Sequence, residues 1–224
     1  MAGAMRFEDM ISGLPTDRPL ALLLRHAERA SIDTIEDSYR ALLTPAGMTA
    51  ARLLGGRLAH LRPIRLAHSP VGRCRQTAAC LAEGIQAAGG EATLLGERTE
   101  LGGPYMLDFR AAMAAVLDEG GGRFVRAWFD GRPPADGLVR PFREAARGQL
   151  EALLASLREP GARGVWLGIS HDWNLLLLRE GYLGLRHEAA GWPDYLEGLA
   201  AWLDDGRLVL CRGERLVRLA LPLS

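Results

Sequence analysis

Pro19-Leu20-Ala21-Leu22-Leu23-Leu24, running into Arg25-His26, is the stretch that decides the fold. An apolar run of this length reads as a buried strand. The chain then emerges into a charged segment, Arg25-His26-Ala27-Glu28-Arg29. In an open α/β sheet, ligands bind at the carboxyl ends of the strands. Two arginines flanking a histidine at such a place predict an anion pocket with a titratable nucleophile inside it. Arg186-His187 is an internal control: no apolar strand precedes that pair, and only Glu188-Ala189-Ala190 follows it. Context makes the first pair informative.

Working outward, the polar stretch through Asp33, Glu36, Asp37 and Ser38 reads as loop. Thr44-Pro45 reads as an N-cap with proline at the first helical position. Met48, Ala51, Leu54, Leu58 and Leu61 then recur at helical spacing. Ile64-Arg65-Leu66-Ala67-His68 alternates like a short strand, and Ser69-Pro70 repeats the cap signal before a helix reaching Gly89-Gly90. A third strand is expected over Ala92-Thr93-Leu94-Leu95. The Gly- and Pro-rich stretch from Gly96 to about Pro141, with Tyr105, Phe109, Phe124, Trp128 and Phe129, reads as an inserted cap of short helices and loops. A helix over Phe142 to Leu157 leads to another buried strand, Gly164 to Ser170, with His171-Asp172 at its end. Asp205-Gly206, between Gly198–Asp204 and Arg207–Cys211, is a hairpin signal. The expectation is α/β: a three-layer α/β/α sandwich with a mostly parallel sheet and an antiparallel edge.

The whole chain sets bounds. At 224 residues it suits one sizeable α/β domain. With 48% hydrophobic and 24% charged residues, and a formal net charge of +0, no global field points to nucleic acid or a membrane surface. The apolar stretches are far too short to span a bilayer. The first nine residues lack the basic-then-apolar order of a signal peptide. Cys74, Cys80 and Cys211 form no metal-ligand spacing, and their odd number argues against a disulfide framework, so a cytoplasmic location is expected. All 27 basic residues are arginine. Without lysine there is no Walker-type phosphate loop and no Schiff base.

Three strand ends carry unusual chemistry: Arg25, His26 and Arg29; then Ser69-Pro70-Val71-Gly72-Arg73-Cys74-Arg75-Gln76-Thr77-Ala78; then His171-Asp172. In a parallel sheet all three lie on one edge. Phosphoryl transfer needs this equipment, because charge on the phosphoryl oxygens is held by positioning and cationic clamping. Arginine suits the task through its planar fork. A neutral imidazole can attack phosphorus, and a carboxylic acid can protonate the departing alkoxide.

Leu24-Arg25-His26-Ala27-Glu28-Arg29, Ser69-Pro70-Val71-Gly72-Arg73 with Gln76-Thr77-Ala78, and Ser170-His171-Asp172 together resemble the histidine phosphatase superfamily, which contains phosphoglycerate mutases and histidine acid phosphatases. The Leu43-Thr44-Pro45-Ala46-Gly47 helix start is also similar, and the likeness runs through most of the chain in order. It implies one domain over 1–224 with a cap at about 96–141. It further implies that His26 is the phosphorylated nucleophile, with Arg25, Arg29, Arg73 and His171 forming the phosphate pocket. Arg29 and the His171-Asp172 pair lean toward the acid phosphatase branch, as does, more loosely, Trp192-Pro193-Asp194-Tyr195. Ala27 and Ser31 depart from that pattern, where glycine and proline are usual. Two proton donors stay open: Asp172, placed first, and Glu100 in the cap, which the mutase-like branch would favour.

The expected function is therefore phosphomonoester hydrolysis without a metal or other cofactor, on a phosphorylated small molecule. A phosphoglycerate mutase-type transferase and a non-catalytic phospholigand-binding protein are the alternatives. Against these stand plainer readings: His26 as a core histidine, Asp172 as a helix cap, and His60, His68 and His187 as structural or surface residues. Arg73 and Arg75 lie two apart on a helix, so only one can face the pocket, and Arg75 is assigned to solvent. A cysteine-phosphatase loop would need arginine six residues after the cysteine; positions 80, 86 and 217 hold Cys80, Gln86 and Val217.

Overall fold

In the computed structural model, residues 7–61, 63–133, 135–159 and 164–221 are described. Positions 1–6, which carry most of the signal-peptide reading, lie outside them. β1 (Leu20–Arg25) is buried along its whole length, because both faces of its sheet are covered. Leu20, Leu22 and Leu24 enter one core, and Ala21 and Leu23 enter another on the opposite face. A strand buried on both sides has no reason to alternate, which is why the run is continuously apolar.

In chain order the elements are α1 (Phe7–Ile11), β1, α2 (Ile35–Arg40), α3 (Pro45–Leu58), β2 (Ile64–His68), α4 (Gly72–Ala87), β3 (Ala92–Glu97), a 3₁₀ turn (Thr99–Leu101), α5 (Phe109–Glu119), α6 (Gly121–Phe129), α7 (Phe142–Arg158), β4 (Val165–Ser170), α8 (Asp172–Leu183), α9 (His187–Ala190), β5 (Gly198–Asp204), β6 (Arg207–Arg212) and β7 (Arg215–Leu219). The sheet order is β3-β2-β4-β1-β5-β6-β7. The first four strands of that order are parallel, and β5, β6 and β7 form an antiparallel edge. Residues of α1, α3 and α4 fill the core on one face, and those of α7 and α8 the core on the other. The expected sandwich is the one observed. Among the described residues, no helix is long and apolar enough to cross a membrane.

Three local expectations need correction. The stretch read as loop contains α2, which opens on a capping box: Thr34 Oγ1 accepts from the Asp37 N–H, and the Asp37 carboxylate accepts from the Thr34 N–H. The box uses Asp where Glu or Gln is usual, and a six-residue helix shows no periodicity. Ser69 does not cap α4, whose N-cap is Val71 without a side-chain bond; the serine hydroxyl is engaged elsewhere. A second hairpin, through Gly213, adds β7 beyond the one expected. The Thr44 cap is as expected: its hydroxyl accepts from the Gly47 N–H, with Pro45 at the first helical position.

Between β3 and α7 the chain makes an excursion that closes on itself. Met106 bridges Val139, and the Arg140 N–H bonds the Tyr105 carbonyl at 2.7 Å. Inside it, Tyr105, Phe124 and Trp128 pack with Trp173 of α8 as a third core. The Tyr105 hydroxyl donates to Asn174, Asn174 to Gln149, and Gln149 to the Glu100 carbonyl, so a buried polar chain ties the excursion to α7 and α8.

Candidate active site

β4 lies between β1 and β2, so the three strand ends are neighbours. Backbone bonds carry the register past the sheet, His26 N–H to Ser170 O at 3.0 Å and Ser69 N–H to Ile169 O at 2.9 Å. His26, Ser69 and His171 therefore leave the same edge side by side. The Gln76-Thr77 motif fastens the loops around them. Gln76 accepts from the Leu43 N–H, and Thr77 Oγ1 accepts from the Ala27 N–H. Gly47 brings the start of α3 against the Glu28 backbone, where a Cβ would collide with the Glu28 carbonyl.

His26 is 3% exposed. Its Nδ1 lies 2.8 Å from the Ala27 carbonyl, so that nitrogen carries the hydrogen. Nε2 is left with its lone pair, which accepts from Arg73 Nε at 3.1 Å. Burial, with His171, Arg73 and Arg25 beside it, holds its pKa well below the ordinary histidine value, against the weaker pull of Ala27. The ring is a neutral imidazole with its basic nitrogen among cations. His171 is also depressed, by burial first and Arg73 second. Its Nε2 sits 2.9 Å from Ser69 Oγ, and its Nδ1 3.4 Å from an Arg73 terminal nitrogen.

The arginines differ in their fastening. Arg73 is spread over three acceptors, since its third nitrogen donates to the Ser38 carbonyl at 2.7 Å. Arg25 donates to the Pro193 carbonyl, pairs with Asp172 at 3.1 Å and lies 4.2 Å from the Tyr195 ring centre. Arg29 donates to the Ala30 carbonyl. Among the described residues, neither Arg29 nor Arg73 pairs with a carboxylate, yet both line one cavity. Arg75 is exposed on the other side of α4, as the helical phase requires.

Asp172 opens α8. One oxygen accepts from the Trp173 N–H and the other from the Trp192 indole, each at 2.9 Å. Burial raises its pKa, but Arg25, Trp192 and His171 outweigh that, and the net direction is down. Glu100 is brought to a different place. Its carbonyl is held by Gln149, and it does not line the cavity, although Thr99 and Gly102 do. His60 and His68 bond nearby carbonyls, and His187 lies at the start of α9.

The cavity has a volume of about 560 Å³ and contains Arg25, His26, Arg29, Arg73, His171 and Asp172 on its walls. Six of the seven candidate residues thus converge. The residues that sequence reasoning missed are those that orient them: Ser69 on His171, Ser38 on Arg73, and Trp192 and Tyr195 on Asp172 and Arg25. Trp192-Pro193-Asp194-Tyr195 was visible as a motif, but nothing in its spacing says which side chains it touches.

The family model "histidine phosphatase superfamily (branch 1)" matches residues 21–191. No curated protein sequence matches. Among solved structures, a phosphoglycerate mutase from Bacillus anthracis str. Sterne is 11% identical with a TM-score of 0.54, over 92% of this chain and 94% of its own. The mycobacterial glucosyl-3-phosphoglycerate phosphatase in complex with inorganic phosphate is 17% identical with a TM-score of 0.56, over 82% and 89%. Mycobacterial hydrolase 1 is 15% identical with a TM-score of 0.56, over 89% and 96%. At these identities the likeness is one of fold. The lean toward the acid phosphatase branch finds no support in these comparisons.

Proposed function

The chain belongs to the histidine phosphatase superfamily, and on that premise we propose that it is a metal-independent phosphomonoester hydrolase working through a phosphohistidine on His26. The observation that carries this reading is the state of His26: neutral, with Nδ1–H on the Ala27 carbonyl and Nε2 turned to an arginine-lined cavity. An incoming phosphoryl group competes for the Arg73 Nε–H and frees the Nε2 lone pair. Nε2 attacks phosphorus, the bond from phosphorus to the ester oxygen breaks, and Asp172 gives that oxygen its proton. Arg25, Arg29 and Arg73 hold the charge on the equatorial oxygens. Water then attacks the phosphohistidine, its proton returns to Asp172, and inorganic phosphate leaves with His26 neutral again. In this reading the 96–141 excursion is the cap over the site.

The test is a generic aryl phosphate in the presence of excess chelator. Hydrolysis at an undiminished rate is expected, since the mechanism asks for no metal. Activity lost to chelation and restored by a divalent ion would overturn it, and labelling without turnover would point to a transferase or a binder.

Arg73 supplies a second check. Arg73→Lys keeps one charge but cannot serve His26, His171 and the Ser38 carbonyl together. A lost charge-assisted bond in the transition state is worth roughly 1.5–3 kcal/mol, or about one to two decades in kcat/KM. Arg75→Lys, on the opposite face of α4, is expected to be nearly silent; the reverse pattern would assign the clamp to the wrong arginine.

A further inference from the structure

The cavity has two unlike ends. Its charged side chains, Arg25, His26, Arg29, Arg73, His171 and Asp172, gather at the sheet edge. Away from them α5 presents Phe109, Met113 and Leu117, spaced i, i+4 and i+8, to the open space. In a globular protein such a stripe ordinarily faces the core. Here only Ala112 of α5 is fully buried, and Leu117 remains 44% exposed. Ile32 and Tyr39 line the same cavity, and the Tyr39 ring packs against Phe109 with centroids 4.6 Å apart. Arg110 reaches Glu36 at 3.6 Å, so α5 is also tied to α2 by charge.

The polar side chains around this space are mostly committed. Ser38 Oγ donates to the Ile35 carbonyl, Ser69 is engaged with His171, the Tyr105 hydroxyl donates to Asn174 and the Trp192 indole to Asp172. Apart from the charged side chains at the sheet edge, which the phosphoryl group occupies, the Thr99 and Tyr39 hydroxyls are the side-chain partners that the described lining residues offer a polyhydroxylated ligand. Each ligand hydroxyl buried without a partner would weaken binding about tenfold or more. A cavity of this size takes a whole small molecule, and the phosphoryl group fills only its charged end.

Building on the phosphatase reading, we propose that the substrate is a phosphomonoester of an apolar alcohol, whose alkyl or aryl body lies along α5 against Met113 and Leu117, beside the Phe109–Tyr39 ring contact. The experiment uses two homologous series with the intact protein: n-alkyl phosphonates, which cannot be hydrolysed, followed by calorimetry, and n-alkyl phosphates followed by kcat/KM. Affinity and kcat/KM are expected to rise about three- to fourfold for each methylene that enters the cavity. Glycerol and hexose phosphates should fall below alkyl esters of similar size. Met113→Gln should flatten both slopes. Flat slopes in the unchanged protein, or a preference for the hydroxylated esters, would overturn the proposal while leaving hydrolysis itself standing. Rising phosphonate affinity without turnover of any phosphate would do the opposite, keeping the apolar wall and removing the hydrolase.

Discussion

His26→Ala is expected to lower kcat by about three orders of magnitude or more on every phosphomonoester. The imidazole is neutral at neutral pH, because burial and the neighbouring cations disfavour its protonation, and its Nε2 lone pair is turned to the cavity, whereas His171 is engaged by Ser69 and Arg73. Alanine leaves Arg25, Arg29 and Arg73 in place, so inorganic phosphate should still bind. That separates loss of the nucleophile from loss of the pocket. Brief exposure of the unaltered protein to labelled substrate, followed by quenching, should leave phosphate that is labile to acid and stable to base. The alanine variant should take up none. A variant that keeps most of its turnover would remove phosphohistidine from the mechanism.

The second large effect concerns the proton donor and depends on the ester used. Asp172→Asn is expected to cost about two to four decades with an alkyl phosphate, whose leaving oxygen needs a proton, and little with an aryl phosphate. The substitution also disturbs the Arg25 pair and the Trp192 bond. Those losses would weigh on both esters alike, so the contrast between esters isolates the proton. Sign matters for the pH profile as well. Although burial opposes ionisation, Arg25, Trp192 and His171 hold the Asp172 carboxyl below the usual range, so in the free protein it is protonated only in acid. For alkyl esters kcat/KM should be highest at acidic pH and fall as pH rises. A bound phosphoryl group, itself negative, should carry the profile of kcat toward neutrality. Glu100→Gln is expected to show no leaving-group dependence, because that residue does not line the cavity. If Glu100→Gln shows the dependence and Asp172→Asn does not, the 96–141 excursion supplies the acid and Asp172 is a helix-terminal residue.

Much of this protein is legible along the chain because its signals are local. The length and uniform apolarity of residues 20–24 report a strand covered on both faces. Thr44-Pro45 reports the start of a helix through one hydroxyl and one missing N–H. The phase of α4 separates Arg73 from Arg75 with no knowledge of the cavity. Short elements are less visible: α2 is too brief to show a period, and its capping box uses Asp in the position where Glu is the usual cue. Ser69 shows how a correct local rule can mislead. A serine before proline has the form of a cap, but its hydroxyl has a stronger claim from a histidine 102 positions away in the chain.

The sequence by itself determined the α/β class, the first six strands along the chain and the three segments that bring arginine, histidine and carboxylate to strand ends. Those follow from side-chain size, polarity and spacing, which act over a few residues. Only the tertiary structure decided that β4 lies between β1 and β2, and so that His26, Ser69 and His171 stand together. It alone turned the stripe of α5 toward a cavity instead of a core, left Glu100 off the wall, and gave Asp172 its neighbours Arg25 and Trp192. Such outcomes depend on contacts between residues far apart in sequence. The state of a titratable group is set by the charges and dipoles within a few ångströms of it, wherever along the chain they originate.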